Sequence, residues 1–339
     1  MPHIGCPHRC SFCNQNTITG QTDMITAKDV VKAVEIAVKS QGYSADKCEL
    51  AFFGGSFTAI DRDYMLSLLN AAQPYINDKK ISGIRISTRP DAIDGEILCL
   101  LKEKGVTSIE LGAQSADDEV LKANMRGHTA KDIANASKMI SDFGFSLGLQ
   151  MMTGLYKSSP EKDKNTAVFL RNLNPDTMRI YPTAVLKGTC LEKLYLRGEY
   201  TPYTFEQSVE LCAELLSYFE GEGVKVIRLG LHDSESLKES FAAGVYHPSF
   251  RELCLSRLFY KTVEKYIKNT DAKSVTARVN PKDISAFVGN KRENIEKLNA
   301  LGVKTDIIQD SGVTRNSVTL KNNEGGQADD FKIFGNTGL

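Results

Sequence analysis

The alternation of short β-rich runs with amphipathic helical stretches constrains the fold of this chain more than any other feature. Runs of this kind are typical of parallel strands that are joined by crossover helices. Two helix starts are visible, because Thr26 and Thr129 each place a hydroxyl three residues before a carboxylate, at Asp29 and Asp132. The predicted strands are a short one before Cys6 and residues 49–53, 83–88, 108–111, 146–152 and 177–181.

The number of these units indicates an open barrel. Six βα units are too few to close an eightfold barrel, but they suffice for a partial barrel whose active face is built from the loops after the strands. A further helix at residues 203–222 and a strand at 224–229 are predicted next. We therefore predict the α/β class, with an open partial (β/α)6 barrel as the main domain.

The composition indicates a protein that is not attracted to nucleic acid by its overall charge. The 339 residues include 42 basic and 42 acidic ones, so any contact with RNA must be local. No apolar run approaches the length of a membrane span, and no signal segment is visible. Eight cysteines are too sparse for a disulfide scaffold, which favours a reducing, cytoplasmic location and no membrane partner.

Three cysteines, Cys6, Cys10 and Cys13, form a C-x3-C-x2-C loop. Three thiolates at this spacing are suited to three corners of an iron–sulfur cube, which leaves one iron open to a ligand. A zinc site and ordinary thiols remain alternatives, although no second C-x2-C or H-x3-H pair follows within zinc-finger distance. His8 is interpreted as a loop residue, and the other cysteines as small buried hydrophobes: Cys48, Cys99, Cys190, Cys212 and Cys254.

Polar or glycine residues recur where the predicted strands end. Gly54 and Gly55 follow the first full strand, and glycines there let the backbone approach a ligand closely. Ser87, Gln114 and Gln150 lie at or near the ends of the next three strands. Hydrogen bonds within the loops would explain any one of them, but their convergence beside the cysteine loop favours a binding site.

Together these motifs resemble the radical S-adenosylmethionine superfamily. More narrowly, five stretches resemble in order the radical domain of the Elongator catalytic subunit, which modifies the wobble uridine of tRNA. They are Ser87-Thr-Arg-Pro-Asp91, Glu110-Leu-Gly-Ala-Gln-Ser115, Arg126-Gly-His-Thr129, Arg179-Ile-Tyr-Pro-Thr183 with Lys187-Gly-Thr189, and Phe250-Arg-Glu-Leu253. The resemblance extends from about residue 2 to residue 260.

The resemblance implies a role for each matching position. Cys6, Cys10 and Cys13 would bind a [4Fe–4S] cluster, whose open iron would be chelated by the methionine part of S-adenosylmethionine. Reductive cleavage would then release a 5′-deoxyadenosyl radical that abstracts a hydrogen atom from the substrate. The positions that would contact S-adenosylmethionine or lie beside it are Gly54, Gly55, Ser87, Gln114, Arg126 and Gln150.

Three departures limit what can be transferred. The family has a glutamate where this chain has Ser87, so a carboxylate contact is missing or is supplied elsewhere. Only five residues precede Cys6, which leaves a very short first strand. No acetyltransferase domain follows the barrel, so we do not expect the carboxymethylation that Elongator performs.

The predicted domains are a barrel at residues 1–265, a small α+β KH-like domain at 272–321 and a polar, mobile tail at 322–339. Strands are expected at 274–279, 305–308 and 317–320, and helices at 281–287 and 293–301. The loop between the helices contains Lys291 and Arg292, which would hold nucleic-acid phosphates as a KH loop does. A solvated loop that binds no RNA is an equal alternative.

Three functions therefore remain open from the sequence. The first is a radical S-adenosylmethionine enzyme, a transferase or oxidoreductase, that acts on tRNA or another RNA and takes electrons from a ferredoxin or flavodoxin. The second is the same chemistry on a small molecule or porphyrin. The third is a non-catalytic RNA-binding protein in which the cysteines hold a structural metal. The convergent strand-end residues favour an enzyme.

Overall fold

The structure is a computed structural model that describes residues 6, 9–14 and 24–335. The strand predicted before Cys6 and the interpretation of His8 lie outside the described residues. The chain divides into two compact units, the first formed by Met1–Pro202 with His232–Val245 and the second by Tyr203–Leu231 with Tyr246–Leu339.

The first unit is an α/β structure. Its strands are β1 (Glu49–Phe52), β2 (Gly83–Thr88), β3 (Val106–Gln114), β4 (Ser146–Thr153), β5 (Thr177–Pro182), β6 (Ala184–Leu186) and β8 (Phe241–Gly244). Its helices are Ala27–Val38, Arg62–Asn77, Gly95–Glu103, Asp118–Ala123, Ala130–Asp142, Pro160–Arg171, Cys190–Leu196 and Glu235–Ser240, with short 3-10 helices at Ala45–Lys47, Phe57–Ala59 and Pro90–Ala92.

Strands β1 to β5 lie side by side in chain order, and every neighbouring pair is parallel. This arrangement follows from the crossover helices, each of which returns the chain to the same end of the sheet. In the central strand β3 every residue except Thr107 is buried, as expected for a parallel strand covered on both faces. The carboxyl ends of the strands therefore meet at one edge, where the predicted site residues lie.

Helix capping explains where the helices of this unit begin. The Asp132 carboxylate accepts a hydrogen bond of 2.8 Å from the Thr129 backbone N–H, and the Thr129 hydroxyl accepts one of 3.3 Å from the Asp132 N–H. The Asp29 carboxylate likewise accepts from the Thr26 N–H at 2.8 Å. The two predicted helix starts are confirmed.

The strands of the second unit are β7 (Lys225–Leu229), β9 (Ser274–Val279), β10 (Lys304–Gln309), β11 (Ser317–Asn322) and β12 (Asp329–Lys332). The last four form a sheet in the order β10-β9-β11-β12. Its helices are Phe205–Gly221, Phe250–Thr270, Ile284–Val288 and Glu293–Ala300, with 3-10 helices at Pro281–Asp283 and Asn290–Arg292. The strand, helix, loop, helix and strand order predicted from residue 274 is present, whereas its KH-like character stays a prediction.

The segment expected to be a mobile tail contains strand β12. Asp329–Lys332 pairs antiparallel with β11, and Ile333 beyond it is 2 % exposed. The composition of this polar segment favours a loop, but backbone hydrogen bonds to β11 and burial of the Ile333 side chain stabilise it as a strand of the sheet.

In the described part of the chain, no helix is both long and apolar enough to span a membrane.

Candidate functional site

A cavity of about 750 Å³ lies in the first unit, where the ends of the strands meet the cysteine loop. Every residue that the sequence analysis assigned to the cluster or to S-adenosylmethionine lines this cavity: Cys6, Cys10, Cys13, Gly54, Gly55, Ser87, Gln114, Arg126 and Gln150. Residues from six separate stretches of the chain are therefore brought together. Their roles as ligands stay predictions.

The middle of the cysteine loop is fixed by Asn124, a residue that sequence reasoning missed. The Ser11 hydroxyl donates to Asn124 Oδ1 at 2.7 Å, and the Ser11 N–H donates to the Asn124 carbonyl at 3.1 Å. Asn124 is fully buried, and its amide donates to the carbonyls of Val120 and Tyr156. A lone Asn at the end of a helix gives no signal for this role, because its partner is more than a hundred residues away.

Gln114 reaches the cavity because of an irregularity in strand β3. The register between β3 and β4 shifts between Gly112 and Gln114, and Gln114 has a φ of 69°. Such a bulge turns a side chain out of the regular alternation of a strand and is common next to active sites. Gln114 is 8 % exposed, and no group among the described residues hydrogen-bonds its buried Oε1.

Arg126 links the cavity wall to the cysteine loop. Its Nη1 lies 3.1 Å from Cys10 Sγ and its Nη2 donates to the Gly112 carbonyl, while the buried Nε has no partner among the described residues. Arg89 is held beside it by two hydrogen bonds to Asp91, at 2.9 and 3.0 Å. The cavity wall therefore presents fixed guanidinium groups.

Gln150 is oriented by a buried carboxylate. Its Nε2 donates to Glu110 Oε2 at 3.1 Å and to Ser87 Oγ at 3.2 Å. Glu110 is 1 % exposed and accepts hydrogen bonds from Arg179 at 2.6 and 3.1 Å and from Arg85 at 3.3 Å. Ser87, which stands where the family has a glutamate, lies opposite Glu110 in the sheet register, so a carboxylate is present on the neighbouring strand.

The charges that line the cavity have one sign. Its lining includes Arg9, Arg89, Arg126 and Lys193, and among the described residues no Asp or Glu lines it. Arg9 and Lys193 are exposed at this surface. A cavity of this character favours anionic ligands.

Burial raises the pKa of the Cys6 thiol, and the nearby Cys10 raises it further, while a backbone hydrogen bond from Ser56 and the cations Arg89 and Arg126 oppose this effect. Because a metal-bound cysteine is a thiolate, metal uptake at Cys6 would release a proton. Within residues 6, 9–14 and 24–335, no set of three His, Cys, Asp or Glu side chains is arranged to hold a single metal ion.

The five remaining cysteines differ from the expectation that all are buried. Cys212 and Cys254 are buried, Cys48 is half-buried, and Cys99 and Cys190 are exposed. Cys190 also lines the cavity. Sequence reasoning missed it because its position depends on the return of the chain to the cysteine loop.

Two family models match consecutive parts of the chain. The model of the Radical SAM superfamily matches residues 2–170, and that of the Radical_SAM C-terminal domain matches residues 175–259. Together they include every residue that lines the cavity. The chain belongs to the radical SAM superfamily.

Similar proteins agree with this assignment. The radical SAM chain is 32 % identical to Elongator complex protein 3 of Homo sapiens over 241 residues, which are 65 % of this chain and 43 % of that protein. It is 28 % identical to the tRNA uridine(34) acetyltransferase of Dehalococcoides mccartyi over 245 residues, or 62 % of this chain and 53 % of that protein. The chain spans about half the length of the curated relatives it matches.

A solved structure supports the fold. The archaeal Methanocaldococcus infernus Elp3 with an N-terminal deletion has a TM-score of 0.59 and 27 % sequence identity, covering 71 % of this chain and 58 % of that chain. The predicted α/β partial barrel of the radical SAM type and the resemblance to Elongator are confirmed.

The superfamily binds a [4Fe–4S] cluster and S-adenosylmethionine, and these are the cofactors of this radical SAM protein. The residues present fit them. Buried Gln114 Oε1 and Arg126 Nε have no hydrogen-bond partner in the described part of the chain, as expected of atoms that bind a polar ligand. At Gly112 an added Cβ would lie 3.0 Å from Gln114 Nε2 and 3.3 Å from Arg126 Nη2, so a side chain there would narrow the space between them.

Proposed function

We propose that this radical SAM chain is an enzyme that reductively cleaves S-adenosylmethionine at a [4Fe–4S] cluster bound by Cys6, Cys10 and Cys13, and that its substrate is an RNA, with tRNA favoured. The observation that carries the proposal is the shared cavity, which contains all nine predicted cluster and cofactor positions. When bound and reduced, the cluster supplies the electron that splits S-adenosylmethionine into methionine and a 5′-deoxyadenosyl radical.

The residues of the chain bind and orient the reactants. The Arg126 guanidinium, which contacts Gly112 and Cys10, would hold the methionine carboxylate through its Nε, which has no partner among the described residues. Gly54, with a φ of 101°, exposes main-chain groups that suit the methionine amine. The nucleoside part would contact two side-chain amides. Gln114 offers an Oε1 acceptor that has no partner among the described residues, and Gln150 is oriented by Glu110.

RNA is proposed as the substrate on two grounds. Relatives with 28 to 32 % identity include proteins named tRNA uridine(34) acetyltransferase. We do not propose that this chain transfers acetyl groups. Among the described residues, the cavity lining has exposed cations, Arg9 and Lys193, and no acidic side chain, which favours a polyanionic substrate. A one-electron donor such as a ferredoxin or flavodoxin would reduce the cluster.

The cofactor chemistry is tested by anaerobic reconstitution with iron and sulfide. The wild-type protein should become brown, bind about four iron atoms per chain as the cluster type requires, and release 5′-deoxyadenosine when given dithionite and S-adenosylmethionine. Cys10→Ala should lose both properties, and Cys99→Ala, which removes an exposed cysteine outside the cavity, should keep both. A colourless wild-type protein with one zinc ion and no 5′-deoxyadenosine would instead identify a structural metal site.

The substrate class is tested by comparing the nucleosides of total tRNA from cells with and without the gene. We expect a modified nucleoside to disappear with the gene and to return with the wild-type gene but not with Cys10→Ala. An unchanged set of nucleosides in tRNA and ribosomal RNA would contradict an RNA substrate and direct the search to small molecules, porphyrins included.

A further inference from the structure

Cys190 places a fourth thiol in the cavity that contains Cys6, Cys10 and Cys13. Its side chain is exposed, and the structure gives its sulfur no hydrogen-bond partner among the described residues. A free thiol at this surface is available to whatever occupies the cavity.

The backbone at Cys190 is held in a fixed position. Cys190 is the first residue of the Cys190–Leu196 helix, and Thr189 caps it by accepting a hydrogen bond of 3.1 Å from the Glu192 N–H. The Thr189 hydroxyl also donates to the Leu186 carbonyl at 2.7 Å, and the Glu192 carboxylate accepts from the Gly188 N–H at 2.8 Å. These bonds fix the turn that presents the thiol.

The same turn is attached to the cysteine loop. The Leu191 N–H donates to the Ser11 carbonyl at 2.7 Å, so the residue after Cys190 is bonded to the residue after Cys10. Leu191 is also buried in a cluster with Val185 and Tyr200, against which Phe12 packs. A polar and an apolar contact therefore keep Cys190 beside the loop.

A second observation indicates that this cavity receives a ligand. Gln114 is 8 % exposed and lines the same cavity, yet its Oε1 has no hydrogen-bond partner among the described residues. A buried acceptor without a partner implies a polar group that arrives with a ligand. Cys190 therefore lines the same cavity as the ligand that would bind to Gln114.

From these contacts we infer that Cys190 donates a hydrogen atom to a carbon radical formed in the cavity. In this step the S–H bond of Cys190 breaks homolytically, a C–H bond forms on the carbon, and a thiyl radical remains on the sulfur. One electron from the ferredoxin- or flavodoxin-type donor and one proton from solvent restore the thiol. The inference rests on the proposed function, because the chemistry proposed there generates the carbon radical.

A thiol suits this role better than the other polar side chains of the cavity wall. The S–H bond is weaker than the C–H bond of a methyl group and the O–H bond of an alcohol, so hydrogen-atom transfer from sulfur to an alkyl radical is downhill. Serine at this position would keep the shape and the polarity but would not transfer a hydrogen atom readily. The pair Cys190→Ser and Cys190→Ala therefore separates hydrogen donation from packing.

The test traces the source of the hydrogen atom that converts the 5′-deoxyadenosyl radical into 5′-deoxyadenosine. In D₂O, with dithionite, S-adenosylmethionine and no substrate, the exchangeable Cys190 S–D should deliver deuterium, so wild-type protein and Cys99→Ala should release singly deuterated 5′-deoxyadenosine. Cys190→Ser and Cys190→Ala should still release the nucleoside, but with deuterium near background by mass spectrometry. An unchanged deuterium content in both variants overturns the inference, whereas a wild-type protein that releases no 5′-deoxyadenosine overturns the proposed function and the inference with it.

Thiol alkylation provides a readout that does not depend on turnover. In cluster-loaded protein, iodoacetamide should label Cys190 and Cys99, as read by peptide mass spectrometry. S-adenosylmethionine at ten times its Kd should slow labelling of Cys190 by about tenfold, since only the unliganded fraction reacts, and leave Cys99 unchanged. Equal rates at Cys190 with and without S-adenosylmethionine overturn the inference. A cluster spectrum that changes in Cys190→Ala before S-adenosylmethionine is added also overturns it, because Cys190 would then be a cluster ligand.

Discussion

At the scale of single residues, burial sets the properties of His128. This side chain is 5 % exposed and Nε2 lies 3.2 Å from the Ala113 carbonyl, while its buried Nδ1 has no partner among the described residues. Burial, together with the nearby Arg126 cation, lowers the pKa of His128 to about 4. The imidazole is therefore neutral at physiological pH and donates its single N–H to the strand.

The stability of the protein should depend on this residue between about pH 6.5 and pH 4. In that window the unfolded chain binds a proton at His128 and the folded chain does not, so the free energy of unfolding falls as the pH falls, by up to about 3 kcal/mol. The free energy of unfolding, measured with denaturant at a series of pH values, should show this dependence at pH values above the range where carboxylates titrate. His128→Gln keeps a donor for the Ala113 carbonyl and should make the free energy of unfolding less dependent on pH. An equal slope in the variant and the wild type would show that His128 is not the source of the pH dependence.

Arg126 should determine the affinity for S-adenosylmethionine. Arg126→Lys keeps the charge but loses the planar fork that contacts Cys10 and Gly112. Loss of one charge-assisted hydrogen bond is worth about 1.5 kcal/mol, so S-adenosylmethionine should bind about tenfold more weakly to cluster-loaded protein in calorimetry. Arg62→Lys, on an exposed helix start, is the control. An unchanged Kd with normal iron content would remove Arg126 from the site.

Part of the site could be predicted at this scale. Gly54, Gly55, Ser87, Gln114 and Gln150 lie in one cavity because they belong to local motifs at or near strand ends, where parallel topology brings them together. Asn124 and Cys190 could not be predicted in the same way. Each acts through a partner far away in sequence, Asn124 through Ser11 and Cys190 through the Leu191 contact with the same residue.

At the scale of elements, close contact between neighbouring strands depends on glycine. Gly148 in β4 lies opposite Glu110 in β3 and Thr177 in β5. A Cβ on Gly148 would lie 2.7 Å from Glu110 Cγ and 2.9 Å from Thr177 Oγ1. The absence of a side chain there leaves room for the carboxylate that orients Gln150.

Gly148→Ala should therefore destabilise the sheet. Overpacking of this kind costs about 1–3 kcal/mol, which should appear as a lower urea midpoint with an unchanged slope. Gly95→Ala is a matched control, because its Cβ would meet only Phe143 Cζ, at 4.0 Å, in the first turn of a helix. That change should be neutral or slightly stabilising. Equal midpoints for the wild type and Gly148→Ala would show that Glu110 can move without cost.

The elements themselves were predictable where their signals are local. Capping residues and apolar periodicity located the helices that begin after Thr26 and Thr129, and apolar runs located β1, β2, β4 and β5. Strand β3 extends past the predicted residues 108–111 to Gln114, because burial on both faces outweighs the glycine at position 112. The antiparallel pair β6 and β8 was missed, since its strands have three and four residues and are far apart in sequence.

At the scale of the whole molecule, the balanced charge means that the proposed RNA binding would depend on local surfaces. The 42 basic and 42 acidic residues cancel, so steering by a net charge is absent. In the second unit, Lys291 and Arg292 are exposed and have φ angles of 49° and 67°, a strained conformation for residues other than glycine. The buried Asn294 holds this loop by donating to the carbonyls of Phe287 and Ser256.

The double variant Lys291→Glu with Arg292→Glu should weaken tRNA binding. If each cation holds one phosphate, the slope of log K against log salt should fall by about one for each residue that is lost. Lys282→Glu, an exposed charge reversal in the same unit, should have a smaller effect. Filter binding at several salt concentrations would measure both slopes. Identical slopes in the double variant and the wild type would favour the solvated-loop interpretation.

Ser11 has a consequence for how the metal centre is assembled. Two parts of the chain hold this residue, Asn124 through two hydrogen bonds and Leu191 through one. The loss of chain entropy at this point of the loop therefore accompanies folding rather than iron uptake. We therefore expect the backbone at Ser11 to be ordered before iron and sulfide bind, so that cluster assembly does not have to order this part of the loop.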